Sequence, residues 1–347
     1  MIKTAILGYG RSGSTLHANP LEQLTQDFRV TAVCDIDPEA RNKAQARFGC
    51  AVYGDYHLML RNEPLDLVVI VTRSDQHCAM TCDVLQAGVP VLVTKPWAVE
   101  ATEAERMVTV AAETGTPLLP WLPARWGCDL RRLKELLAEG VIGKVFLVRR
   151  REFSFGLRQD WQTERRYGGG YLLNWGPHIV DQAVELLDEP VRSVYGQLRQ
   201  VINPGDVEDM FYAVLKTSSG ALLTCEYTIA IDKLPNWVIQ GDRGTIFVKE
   251  KTLEIHQVQW PEKLDETAYR NKPEIRVTTE DLEGNSHISM GRRYGDPYVI
   301  YPEIARALRG EQPFAVTPAH ALQVSKLLDA IRESAARDQT IPFAADA

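Results

Sequence analysis

Between residues 2 and 120, short apolar runs alternate with amphipathic segments. That rhythm marks a βαβ chain building a parallel sheet. It predicts strands near 2–7, 29–34, 51–53, 66–72, 90–93 and 117–120. Helices are expected between them, near 14–26, 38–48, 55–62, 76–87 and 101–114. LDLVVIVT (65–72) and PVLVT (90–94) are apolar on both faces, as strands covered by helices must be. After residue 121 the pattern changes. RWGCDLRRLKELLAEGVIG reads as a helix with Leu130, Leu133, Leu136 and Leu137 on one face, closed by Gly140. Long segments of alternating pattern follow, such as KVFLVRRREFSF, MFYAVLKT, ALLTCEYTI and TLEIHQV, separated by turn signals at 218–220 and 241–244. These predict a large, mostly antiparallel sheet. Two helices close the pattern near 296–309 and 318–336. The expected fold is an α/β Rossmann domain over 1–121 and an α+β domain over 122–347, meeting at a tight crossover near Trp121–Arg125.

Composition narrows the partners. The net charge is −7 and basic residues are scattered among acids, so nucleic acid and anionic membranes are not expected ligands. The densest basic run, RRRE (149–152), is expected along one strand, alternating between its faces. No stretch approaches a membrane span, and the chain opens directly into a strand pattern with no signal peptide. The six cysteines, Cys34, Cys50, Cys78, Cys82, Cys128 and Cys225, form no paired framework, which fits reduced thiols in the cytoplasm. His77, Cys78 and Cys82 lie close enough in sequence to suggest a metal. No second ligand pair follows, and small buried thiols explain the cysteines better, so no metal is expected.

Two glycine clusters carry the candidate chemistry. GYGRSG places Gly8, Gly10 and Gly13 in G-x-G-x-x-G spacing, between a predicted strand and a predicted helix. There Gly8 permits a tight turn, Gly10 lets a pyrophosphate approach the backbone, and Gly13 lets helix and strand pack closely. Tyr9, Arg11 and Ser12 lie within the same turn. The second strand ends at Asp35, 22 residues after Gly13, close to the spacing of about 20 residues for a carboxylate on the adenosine ribose. Ile36 follows, with no arginine beside it to hold a 2′-phosphate, so NAD is expected over NADP. Asp37, directly before Pro38, is the better helix cap. The second cluster, YGGGYLLNWGPHIVD (167–181), reads from its own residues as a phosphate cradle, a loop ending at a capped helix, or part of an active site.

The wider pattern resembles one family. VVIVTRSDQHCAMTCDVLQAGVPVLVTKPWAV (68–99) is similar to the strand–T–x4–H, helix, A-G-x-x-V, strand–E-K-P segment of the Gfo/Idh/MocA oxidoreductases. GGGYLLNWGPHIVD resembles that family's G-G-G-x-L-x-D-x-G-x-H-x-x-D segment. Residues 123–145 and 316–335 extend the likeness over nearly the whole chain. The resemblance implies a two-domain NAD(P)-dependent dehydrogenase acting on sugars, cyclitols and their derivatives. It implies Lys95 as the acid/base at the reacting oxygen, Pro96 after a cis bond, and His178 as the catalytic histidine. The loop from Thr72 through Arg73 to His77 would wall the cofactor. Two positions depart from the pattern. Thr94 stands where the family has Glu, and Asn174 stands where it has Asp. Asn cannot exchange a proton at neutral pH, though it can orient a hydroxyl or hold His178. Read locally, Asn174 is either the cap of a helix whose first turn holds Pro177, or a residue one helical turn from His178 on the same face.

Hydride chemistry on an alcohol asks the protein to position a cofactor and manage one proton. Lys95 closes a buried strand at the carboxyl edge of the sheet, where open α/β sheets place ligands. Arg125, Trp161 and Trp175, with Trp126, Arg165, Tyr167 and Asp181, are the aromatic and polar candidates for a sugar or polyol. Three readings stay open: net oxidation of a ring hydroxyl, redox-neutral glycoside cleavage through transient oxidation, and a non-enzymatic dinucleotide-binding regulator. A sheet with one broad free face predicts a homodimer or homotetramer.

Overall fold

A computed structural model describes residues 1–282 and 292–344. The chain forms two compact units. The first comprises residues 1–123, 164–177 and 296–329, and the second 124–163, 178–295 and 330–347.

The first unit is built on six strands: β1 (Ile2–Leu7), β2 (Phe28–Cys34), β3 (Ala51–Tyr53), β4 (Leu67–Ile70), β5 (Val91–Val93) and β6 (Leu118–Pro120). They run in the order β3-β2-β1-β4-β5-β6, every pairing parallel. The order reverses between β1 and β4, the switch point where Rossmann sheets bind dinucleotides. β4 and β5 are buried at every residue, as their unbroken apolar runs require. Helices α1 (Ala18–Gln23), α2 (Pro38–Phe48), α3 (Tyr56–Asn62), α4 (His77–Gln86) and α5 (Ala101–Thr114) connect them. The expected cap holds: Asp37 accepts from the Glu39 amide at 2.9 Å, and Pro38 takes the first helical position. The expected helix at 14–26 differs. It begins with a π turn, Gly13–His17, runs on as α1 and ends at Gln23.

The second unit opens with α6 (Cys128–Ala138), which buries Leu130, Leu133 and Leu136. Helix α7 (Tyr171–Leu187) begins in the first unit's segment 164–177 and continues into 178–187. The strands are β7 (Val145–Phe153), β8 (Val191–Arg199), β9 (Met210–Thr217), β10 (Leu222–Thr228), β11 (Trp237–Gly241), β12 (Gly244–Lys249), β13 (Thr252–Gln259), β14 (Glu274–Asp281) and β15 (Ile341–Pro342). Their order is β14-β13-β12-β11-β7-β10-β9-β8-β15. All neighbours are antiparallel except β7 and β10, which run parallel. Along β7 the expected alternation appears, with Val148, Arg150 and Glu152 buried and Leu147, Arg149 and Arg151 half-buried. Helices α8 (Pro297–Leu308) and α9 (Pro318–Arg337) follow, and all of α8 belongs to the first unit. No helix among the described residues is long and apolar enough to cross a membrane.

Candidate active site

The first glycine turn leaves β1 at the switch point. Gly8 has φ +91°, and a Cβ there would lie 2.7 Å from the Val71 carbonyl oxygen. A Cβ on Gly13 would overlap the Gly8 carbonyl oxygen. Gly10 is different, because a Cβ there would meet nothing within 4 Å. The turn is therefore closed against its own backbone at two glycines and open at the third. Arg11 is exposed and Ser12 half-buried at its rim, while the Tyr9 ring turns inward, edge-on to Phe48. This open, amide-lined turn fits the pyrophosphate of a dinucleotide.

Asp35 reaches back to that turn. Its Oδ2 accepts from the Tyr9 amide at 2.6 Å, and its Oδ1 from the Asp37 amide at 2.9 Å. Each oxygen keeps acceptor capacity for a ribose hydroxyl. Ile36 beside it is exposed. An arginine absent from the adjacent sequence is brought in by the fold: Arg41 donates to the Asp35 and Ile36 carbonyls at 2.7 and 3.0 Å. No local motif marks Arg41, since it returns from one turn inside α2.

The loops after β4 and β5 are tied together by His77. Its buried ring places Nδ1 2.8 Å from the Pro96 carbonyl and Nε2 3.1 Å from the Thr72 carbonyl. Burial lowers its pKa, and the two carbonyls oppose that effect. The ring thus braces the two loops that flank the expected nicotinamide position. Thr94 is buried and donates to the Ile70 carbonyl at 2.9 Å, so its hydroxyl joins β5 to β4. Arg73 lays its guanidinium 4.0 Å from the Tyr167 ring centroid and pairs with Asp75 at 3.3 Å. The Lys95–Pro96 bond is cis.

Lys95 is half-buried, and its ammonium donates to Asn174 twice, to Oδ1 at 2.6 Å and to the backbone carbonyl at 2.9 Å. Three donors and no acceptor on the lysine fix which amide atom of Asn174 faces it. Asn174 is not a helix cap. α7 begins three residues earlier at Tyr171, and the Asn174 amide already bonds the Gly170 carbonyl at 3.0 Å. Pro177 likewise lies inside α7 rather than at its first position. A Cβ on Gly176 before it would lie 2.7 Å from the end of the Leu328 side chain, which would have to shift to make room. The helix starts at Tyr171, directly after the glycine loop and six residues before Pro177.

Ahead of α7, one glycine of the second cluster is spent on protein. Gly168 has φ +69°, and a Cβ there would meet Val99 at 2.7 Å and Ser74 at 2.8 Å. At Gly168 the second cluster is filled by protein, which argues against a phosphate cradle there. It packs the approach to α7 against the loop after β4. Four residues after Asn174 in the same helix stands His178, buried, its ring centroid 5.7 Å from that of Tyr294. Trp175 and Trp161 are half-buried, the latter in a 3-10 turn, Trp161–Thr163. Arg125 is held in an ion-pair cluster. It reaches Asp181 through Nε and Nη2, the shortest contact 2.7 Å, and Glu185 through Nη1 at 2.8 Å. One buried polar cluster had no sequence signal beyond the RRRE run. The Arg150 Nε donates to Gln182 at 2.8 Å and its Nη1 to Glu152 at 2.7 Å, while Trp237 donates to buried Asp129 at 2.8 Å.

Comparison with known proteins is consistent with this arrangement. Residues 2–120 match the oxidoreductase family described as an NAD-binding Rossmann fold, and residues 130–247 match the GFO/IDH/MocA C-terminal domain. The chain is 28% identical to the uncharacterized oxidoreductase YdgJ of Escherichia coli K12, over 99% of both chains. It is 25% identical to the scyllo-inositol 2-dehydrogenase (NADP(+)) IolW of Bacillus subtilis, over 98% of this chain and 95% of that one. Among solved structures it resembles the WlbA dehydrogenase of Bordetella pertussis in complex with NADH and UDP-GlcNAcA. That likeness has a TM-score of 0.83 and 25% identity, covering 99% of this chain and 98% of the other.

Proposed function

The chain belongs to the GFO/IDH/MocA family of NAD(P)-dependent oxidoreductases, and from that premise we propose that it oxidises a ring hydroxyl of a sugar, glycoside or inositol-like polyol with NAD. The observation that carries the reading is the Lys95 ammonium, aimed and held by both oxygens of Asn174 at the carboxyl end of β5. Gly8, Gly10 and Gly13 would hold the pyrophosphate of the dinucleotide and Asp35 its adenosine ribose. When bound, the nicotinamide supplies the hydride acceptor.

The protein's own part is proton management and orientation. Lys95 takes the hydroxyl proton as the carbinol hydrogen leaves, which needs the amine in its neutral form. Asn174 holds that nitrogen without ionising, so it positions rather than titrates. His178 shares the proton or fixes the hydroxyl. His77 and Thr94 act further back, keeping the β4 and β5 loops in register. Asp35 favours NAD because its carboxylate accepts from ribose hydroxyls and repels a 2′-phosphate. We place the working enzyme in a reducing compartment, the cytoplasm, in keeping with six free, buried cysteines. It works as a homodimer or homotetramer through the broad sheet.

The test is a cofactor titration followed by a substrate screen. NADH should bind, and a panel of sugars and cyclitols should yield a substrate that generates it. Lys95→Met should lower kcat by about 10²–10⁴-fold with the Kd for NADH unchanged. A Lys95→Met enzyme of undiminished turnover would remove the lysine from the mechanism. NADPH binding without NADH binding would sink the role given to Asp35. Product release without net NADH would move the reaction to redox-neutral cleavage.

A further inference from the structure

The helix that follows the phosphate-binding turn starts in an unusual register. The Ala18 amide bonds the Gly13 carbonyl, five residues back rather than four. A π turn gives up regular helical geometry, and it tends to persist where the extra residue puts a side chain somewhere useful. Here two side chains respond to it, and neither is part of the glycine motif.

The first is His17, which ends the π turn and is fully buried. Its Nδ1 lies 2.8 Å from the Tyr301 hydroxyl of α8, and its ring stacks obliquely on Trp121 at 4.9 Å. One residue fewer in the turn would rotate this ring by about 100° away from both. Burial lowers the His17 pKa to about 3 and raises that of Tyr301. Both rings are thus neutral at working pH and joined by a hydrogen bond that water cannot replace. The second is Arg47, in the last turn of α2. The π register takes the Ala18 amide away from the Ser14 carbonyl, and Arg47 Nη1 donates to that carbonyl at 2.8 Å. Its Nη2 reaches Asn19 at 2.8 Å and Glu22 at 2.5 Å on the same helix.

We infer that the π turn and its two braces, Tyr301 through His17 and Arg47 through Ser14, are positioning elements that set the phosphate-binding turn for the dinucleotide. Neither Tyr301 nor Arg47 belongs to the glycine motif; each bonds the helix that follows it. They fix the start of the helix whose amides must face the pyrophosphate. Helix α8, remote in sequence from the glycine motif, then positions the phosphate-binding turn from outside the cofactor site. The inference depends on the NAD-binding domain alone and is indifferent to the substrate.

The test measures NADH binding without substrate, so its outcome is separate from that of the Lys95 experiment. Tyr301→Phe keeps the ring packing and removes only the hydroxyl. It should raise the Kd for NADH about three- to tenfold, the worth of one buried hydrogen bond. Turnover at saturating NAD should be kept. Arg47→Gln should weaken NADH to a similar degree from the other side of the turn, and it carries the test should Tyr301→Phe fail to fold. Titrations well below each variant's melting temperature keep stability out of the readout. A lowered melting temperature with the Kd for NADH within twofold of the parent would overturn the inference, making the braces merely structural.

Discussion

The molecule holds two glycine turns that each precede a helix, and they do opposite things with the space glycine leaves. In the Gly8–Gly13 turn, two glycines press backbone on backbone, and Gly10 faces open space. In the Gly168–Gly170 stretch, Gly168 lets the chain pass against Val99 and Ser74. One turn is closed inside so that it can stay open outside. The other is filled by protein at Gly168 and leads into a helix. Glycine spacing alone does not separate these uses. What a Cβ would meet does.

Substitutions can break that contrast. Gly13→Ala should have the largest effect, because the new Cβ collides with backbone that cannot move aside. A loss of at least ~3 kcal/mol in chemical unfolding is expected, together with loss of NADH binding. Gly168→Ala should cost about 2–3 kcal/mol, from the strained positive φ and the contacts with Val99 and Ser74. The folded variant should still bind NADH with the parent affinity. Gly10→Ala should reverse that signature. Its folded state should be unchanged or up to ~1 kcal/mol more stable in a melt, while NADH binding weakens by about tenfold or more. If Gly10→Ala binds NADH normally, the open side of the first turn is not where the pyrophosphate lies.

The smallest expected effect tests what the second turn delivers. Asn174→Asp puts a carboxylate against the Lys95 ammonium, which favours the charged amine. The proposed mechanism needs the neutral amine, so the acid limb of the kcat–pH profile should move to higher pH, by roughly one unit. A profile that does not move would leave Asn174 a spacer in α7.

Much of this arrangement was legible in the chain. The strands of the first unit fall within a residue or two of their expected limits, because fully buried parallel strands are written as unbroken apolar runs. Asp37 and Pro38 marked a helix start that the structure repeats, since a cap is a purely local device. The rest was hidden for physical reasons. The π turn adds one residue to a helical period that a short apolar pattern cannot resolve. Pro177 looked like a helix start because proline suits a first helical turn, while α7 already begins at Tyr171. The ion pairs of Arg125 had no local sign, because its partners, Asp181 and Glu185, lie on α7. Arg41 and Tyr301 had no motif at all. For Arg125 and Tyr301 the deciding partner is distant along the chain, whereas Arg41 turns back only five or six residues, to Ile36 and Asp35.

The composition of the first unit has a consequence for how the protein is made. Its sheet is complete by residue 120, yet the unit also takes in residues 164–177 and 296–329. A ribosome making about 5–20 residues per second needs roughly 10–40 s to travel the 200 or so residues from the last strand to that final segment. Throughout that interval the nascent sheet lacks α8, and the apolar surface around Trp121 and Phe28 has no Tyr301 to cover it. The sheet of the first unit is therefore translated well before the helix that covers it, and chaperones that hold exposed apolar surface have a defined window in which to meet it.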